Sequence, residues 1–213
     1  MSEKAVHIGQ AIGFGWASIK KDFWYLIALS VIVAVVNGFP SMIDNDNNTL
    51  GLLGLLLSAW ITSGMLRIVI DYVRGTKREL TDVFTQTKYF LRVFLGMIFL
   101  GIIFVVGLVL FIIPGIYLAL KYSFTMYFIV DKDMSITDAM KASAHMTSGI
   151  KGSLFGLAMA SFGVFILGAI AFGIGIFVAI PIVWLAYGYV YNSLLASVPA
   201  AQTVVASATP AKK

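Results

Sequence analysis

The stretch VLFIIPGIYLALKYSFTMYFIVD, Val109–Asp131, decides how the chain folds. Nineteen of its residues are aliphatic, aromatic, Pro, Gly or Met, yet Lys121 stands near the middle. A helix that crosses the hydrocarbon of a bilayer needs about 20 apolar residues. The apolar run from residue 90 to Asp131 is roughly twice that. Proline suits the first turn of a helix and interrupts its interior. Pro114 therefore reads as the tip of a tight helical hairpin, and Pro181 in VAIPI, after a second long apolar run, reads the same way.

Working outward, six segments approach spanning length: 23–40, 50–73, 90–113, 114–130, 152–180 and 181–196. Of 213 residues, 60% are hydrophobic, 14% aromatic and 12% charged. A soluble domain carries roughly 25% charged residues, so this chain lacks the polar residues to face water and reads as immersed in lipid. No cysteine is present, which excludes disulfides and thiolate metal sites. The N-terminus MSEKAVHIGQAIGFGWASIKKDF has no continuous apolar core before a small-residue cleavage site, so no cleaved signal peptide is expected.

Charge orients the spans. Lys4, Lys20 and Lys21 precede the first span, and Arg67 lies near the end of the second. Arg74, Lys77, Arg78, Lys88 and Arg92 follow it, Lys132, Lys141 and Lys151 lie between the fourth and fifth, and Lys212 and Lys213 close the chain. The opposite connections, SMIDNDNNT (Ser41–Thr49) and the two proline tips, hold no Lys or Arg. The positive-inside rule then puts the basic side, and both termini, in the cytoplasm. The net charge of +5 reflects this bias and suits anionic lipid headgroups; nucleic acid is not expected as a partner.

A shift of 67 residues aligns Gly96 with Gly163, Gly101 with Gly168 and Pro114 with Pro181, then Tyr117 with Trp184 and Tyr122 with Tyr189. Parallel internal repeats are common in membrane proteins. Amphipathic stretches precede the hairpins: Ile8, Ile12, Trp16 and Ile19; Leu80, Val83, Phe84 and Phe90; Ile136, Met140, Ser143 and Met146. Ser135 with Asp138 resembles a capping box that starts the third stretch. Such helices lie in the headgroup plane or continue the spans; the in-plane reading is preferred. The expected fold is all-α: three units, about 5–73, 79–130 and 135–196, each an interfacial helix plus a hairpin, forming one membrane domain over 1–196. The tail 197–213, low in bulky residues, is expected to be disordered.

The segment IIPGIYLALKYSFTMYFIVDKDMSITDAMKASAHMTSGIKGSLF, Ile112–Phe155, resembles a bacterial membrane-protein family. It has a Pro-Gly hairpin, a basic-aromatic step, an Asp, a helix with Ala and Ser, and a Lys-Gly exit. The family comprises integral membrane proteins of the YciC type, with the membrane domain fused to some glycerophosphoryl diester phosphodiesterases. Pro114, Gly115, Lys121, Tyr122, Asp131, Ala139, Ser143, Gly152 and Pro181 carry the likeness, which extends over residues 5–196 and is most distinctive in the centre. It implies a six-span inner-membrane protein. The chain has no phosphodiesterase catalytic domain, so that activity does not come with it.

All ten acids lie at or beyond the span ends, so no carboxylate pair at depth relays protons or binds cations. His7 and His145 lack ligand-spaced partners, and DNDNN (Asp44–Asn48) lacks the glycine and glutamate of a calcium loop. No phosphate loop ends in Lys-Ser/Thr, and no credible base stands beside a nucleophile. The chain reads as a non-enzyme without metal or cofactor. Gly152, Gly156, Gly163, Gly168 and Gly188 read as close-packing positions, although the glycines of GAIAFGIGIF (Gly168–Phe177) also fit a broken, ligand-binding span.

Lys121 keeps two readings: an ammonium that snorkels towards the outer interface, or a contact for an anion such as a lipid phosphate. Tyr117, Lys121 and Thr125 share a helical face, which the repeat matches to Trp184, Gly188 and Asn192, with Gly188 leaving room for the lysine. The candidate contact set is Lys121, Tyr117, Thr125 and Asn192. Two functions follow: a non-catalytic protein that contacts lipids or organises the membrane, alone, as a homo-oligomer or with other membrane proteins; or a small-molecule or anion pathway.

Overall fold

The computed structural model describes residues 6–43, 48–110, 112–170 and 175–197. Among these residues the chain is all helical, without a strand: α1 Ile8–Lys21, α2 Phe23–Ile43, α3 Asn48–Val73, α4 Thr87–Leu110, α5 Ile112–Lys121, α6 Thr125–Lys132, α7 Ile136–Met146, α8 Lys151–Ile170 and α9 Gly175–Ser197. A 3₁₀ turn, Leu80–Phe84, joins α3 to α4. Among the described residues five stretches are long and apolar enough to cross a membrane: Gly54–Val73, Thr87–Val109, Ile113–Lys132, Lys151–Ile170 and Gly175–Ser197. Phe23–Gly38 is a shorter apolar helix. The tail expected to be disordered lies, from residue 198 onward, outside the described residues.

Neighbours in sequence pack together: α2 on α3, α4 on α5, α8 on α9. The α4–α5 pair comes close at two glycines, since a Cβ on Gly107 would stand 3.0 Å from the Gly115 Cα. Pro114 sits in the first turn of α5, where its missing N–H costs nothing. Pro181 departs from expectation. It is the seventh residue of α9 and is buried; α8 has already ended at Ile170. A tertiary contact accompanies the interrupted turn. Gly15 of α1 presses on the α9 backbone beside the proline, where a Cβ would come within 2.5 Å of the Ile182 carbonyl oxygen. The two prolines that align in sequence thus do different work.

Helix α3 is the hub, touching α2, α4, α6, α9 and the 3₁₀ turn. Ala59, Ile61, Met65, Leu66, Ile68, Val69 and Ile70 along it are buried. At Gly64 the backbone of Val83 comes so close that any Cβ would strike its carbonyl. The expected second amphipathic helix is instead this 3₁₀ turn, with Val83 fully buried against α3. The third forms as expected, and the Asp138 N–H donates to Ser135 Oγ at 3.2 Å. It does not lie on an open surface: α7 packs on α6, burying Ala139, Met140, Ala142, Ser143 and Met146. Helix α1 likewise packs along α9, and its buried face is Ala11, Gly15, Ser18 and Ile19; of the expected stripe Ile19 is buried and Ile8 and Ile12 partly so, while Trp16 is half exposed. Small residues win that face because they let two backbones approach.

Candidate functional site

Lys121 is the last residue of α5, and Tyr122–Phe124 form a turn before α6. No glycine or proline breaks the helix here. The backbone accounting explains how the break persists. In an unbroken helix the Thr125 N–H would reach the Lys121 carbonyl; here it donates to Tyr122 O at 3.1 Å. The orphaned Lys121 carbonyl accepts instead from Ser143 Oγ at 3.0 Å and Thr147 Oγ1 at 3.1 Å, both at the end of α7. Ser143 Oγ also accepts the Phe124 N–H at 3.2 Å, and Ser123 Oγ donates to Leu120 O at 3.0 Å. Each freed group named here has found a partner, as apolar surroundings demand.

This places Lys121 beside the α7–α8 turn, not alone on a seam facing α9. Its ammonium lies 5.1 Å from the centre of the Tyr122 ring. One helical turn back on the same face, the Tyr117 ring carries a second ammonium, that of Lys151 at the start of α8, at 4.8 Å. Neither lysine has an acid partner among the described residues. Tyr117 is half exposed, so the face is accessible. The other expected members go elsewhere. Thr125 is fully buried, and its hydroxyl has no hydrogen-bond partner among the described residues. Asn192 accepts from Arg74 Nε at 3.1 Å. Gly188 makes room for Val69, not for lysine: a Cβ there would be 2.6 Å from Val69 Cγ1.

The remaining packing glycines divide. Gly168 meets the Gly175 carbonyl, 2.8 Å from where a Cβ would sit, and Gly156 meets the Ile8 side chain at 2.7 Å. Gly152 and Gly163 face open space, so close approach does not explain them. The glycines that matter most in α1 and α3, Gly15 and Gly64, stood outside the expected set. Gly15 shares its helix face with Ala11 and Ser18, a weak signal without the partner, whereas Gly64 sits between Trp60, Ile61, Arg67 and Ile68 on its face and gives no such signal.

Asn192 belongs to a second constellation that sequence reading left as separate charges. The Asp131 carboxylate, 3% exposed, receives both Arg74 guanidinium nitrogens at 2.5 and 2.8 Å, the Tyr191 hydroxyl at 2.9 Å, and has the Lys132 ammonium at 3.2 Å. This ties the ends of α3, α6 and α9 together. A carboxylate so saturated is a clasp and not a base. Similar pairs ring the same region: Asp22 with Lys77 and Tyr72, Asp71 with Arg67 and Arg78, Asp133 with Lys88 and Arg92. Lys77 and then Tyr72 hold the Asp22 carboxyl below its usual range. Partial burial pushes the Asp133 carboxyl up, but Lys88 and Arg92 outweigh it and the net direction is down. Among the described residues no three His, Asp or Glu side chains gather as a metal site.

No protein-family model matches the chain, and no curated protein or solved structure is similar to it in these comparisons.

Proposed function

We propose that this is a non-catalytic, multi-pass protein of the bacterial inner membrane that holds an anionic lipid headgroup. Its six spans, the number implied by its resemblance to the YciC-type family, form three helical hairpins, and the one-sided distribution of Lys and Arg puts both termini in the cytoplasm. The sixth span is α2, whose 21 residues reach about 31 Å at 1.5 Å per residue. The carrying observation is two ammonium groups without an acid partner among the described residues, Lys151 over the ring of Tyr117 on α5 and Lys121, at the end of that helix, over the ring of Tyr122. A phosphate between two such lysines, with an amphipathic tyrosine beside it, matches how headgroups are held at membrane interfaces. Because Lys121 adjoins the turn leading to Lys151, it joins the basic side of the protein.

Native mass spectrometry of protein extracted with its lipids tests this. Wild type is expected to retain an anionic phospholipid. Lys121→Ala and Lys151→Ala should each weaken retention about fivefold, the effect of about 1 kcal/mol per basic residue. Retention unchanged in the double variant would overturn the assignment. Flux of an anionic solute into proteoliposomes, abolished by Lys121→Glu, would replace it with a pathway.

A further inference from the structure

Away from Lys121, a groove of about 420 Å³ opens where α1 crosses α8 and α9. Ile12 and Trp16 of α1 form one wall, Leu167 of α8 and Val178 and Ile182 of α9 the other. Gly168 and Gly175 also line it, and there the absence of side chains lets the helices meet, since a Cβ on Gly168 would stand 2.8 Å from the Gly175 carbonyl oxygen. The volume lies within the range of about 300–1,000 Å³ typical of small-molecule sites.

The geometry points to this groove as the seat of one acyl chain of an anionic phospholipid, whose phosphate is met by Lys20. Three observations commit it to that occupant. Apart from the Trp16 indole N–H, the lining side chains offer no hydrogen-bonding group, so a polar solute would be desolvated without compensation. The groove opens beside the most outward-facing apolar positions of α8, with Leu167 70% exposed on its rim. At the Trp16 end the apolar wall meets a cation: Lys20 Nζ lies 5.4 Å from the Trp16 ring centre, on an exposed side chain without an acid partner among the described residues. An apolar slot ending in an indole and an ammonium is the complement of a hydrocarbon chain ending in a phosphate.

This site shares no residue with the Lys121–Lys151 face, so the two are separable by stoichiometry. With full-length protein in anionic phospholipid, native mass spectrometry should find two lipids retained per wild-type chain. Val178→Trp, which fills the groove, should leave one. Lys20→Gln, at an exposed position that leaves folding intact, should lower the preference for anionic over zwitterionic phospholipid at the groove about fivefold. The Lys121→Ala, Lys151→Ala variant should keep the groove lipid. If the headgroup site fails and the groove holds, wild type retains one lipid and Val178→Trp none. Equal retention by wild type and Val178→Trp, or no change in headgroup preference with Lys20→Gln, overturns the groove assignment. So does a wild-type dimer that carries no lipid, which would give the groove to a second copy.

Discussion

Helices α3 and α4 make an instructive pair. The α4 stretch Thr87–Val109 is the most apolar of the five and is only 17% buried, whereas the less apolar Gly54–Val73 of α3 is 56% buried. Lys151–Ile170 follows α4, at 22%, and Gly175–Ser197 follows α3, at 50%. In water the order would be reversed, because burial of apolar surface drives folding. In lipid, hydrocarbon outside is as apolar as leucine inside, and association rests on packing and polar contacts. The helices with small residues, hydroxyls and charges therefore go to the centre, and the greasiest go to the rim.

The sharpest way to break this comparison is to truncate one apolar residue on each side of it. Phe128→Ala, at a fully buried position of α6, should lower stability by about 3–5 kcal/mol, read by thermal or denaturant unfolding in detergent. Val105→Ala, 57% exposed on α4, should stay within about 0.5 kcal/mol. Equal losses would mean that the rim is covered by something else. Next is the polar clasp. Asp131→Leu strips Arg74 and Tyr191 of their partner and should cost about 3 kcal/mol in the same assay, the low end for a broken buried pair because Arg74 keeps 30% of its exposure.

Glycines sharpen the contrast further. Gly64→Ala drives a methyl group into the Val83 backbone and should cost about 1–3 kcal/mol. Gly163→Ala meets nothing and should be neutral, or stabilising by up to about 1 kcal/mol through helix propensity. Ser143→Ala removes both a donor to the Lys121 carbonyl and the acceptor of the Phe124 N–H; a loss of about 1–2 kcal/mol is expected, with faster amide exchange confined to residues 121–125. The smallest effect concerns pH. Asp22 and Asp133 titrate below the ordinary value of about 3.9, so their charged forms favour the folded state. That contribution should be complete above about pH 5 and fade as pH falls through their depressed values. Melting temperatures measured from pH 7 down to 3 should be flat at first and drop only at the acid end.

Much of the element map was legible. Expected segments 50–73 and 90–113 correspond closely to α3 and α4, because a long apolar run bounded by charges has few other readings. The capped start of α7 was legible too, since Ser135 and Asp138 act locally. Of the candidate contact set, Lys121 and Tyr117 share an accessible face, while Lys151 was missed because it lies thirty residues further on and only the α5–α8 packing brings it there. Asn192 was misassigned for the complementary reason: its partner, Arg74, is 118 residues away.

By itself the sequence determined the solvent, the helical class and the position of the charged residues at the ends of long apolar runs, because these follow from composition and from the length of hydrocarbon a helix must match. Tertiary structure decided where helices break and where they do not. Tyr122–Phe124 turns without glycine or proline because the Ser143 and Thr147 hydroxyls, at the end of α7, donate to the freed Lys121 carbonyl, and Pro181 lies inside a helix where α1 lays a glycine against the backbone beside it. The backbone hydrogen bond lost at Lys121 is replaced from residues more than twenty positions away, and the close approach beside Pro181 comes from the other end of the chain, so no local reading of residue preferences could place either event.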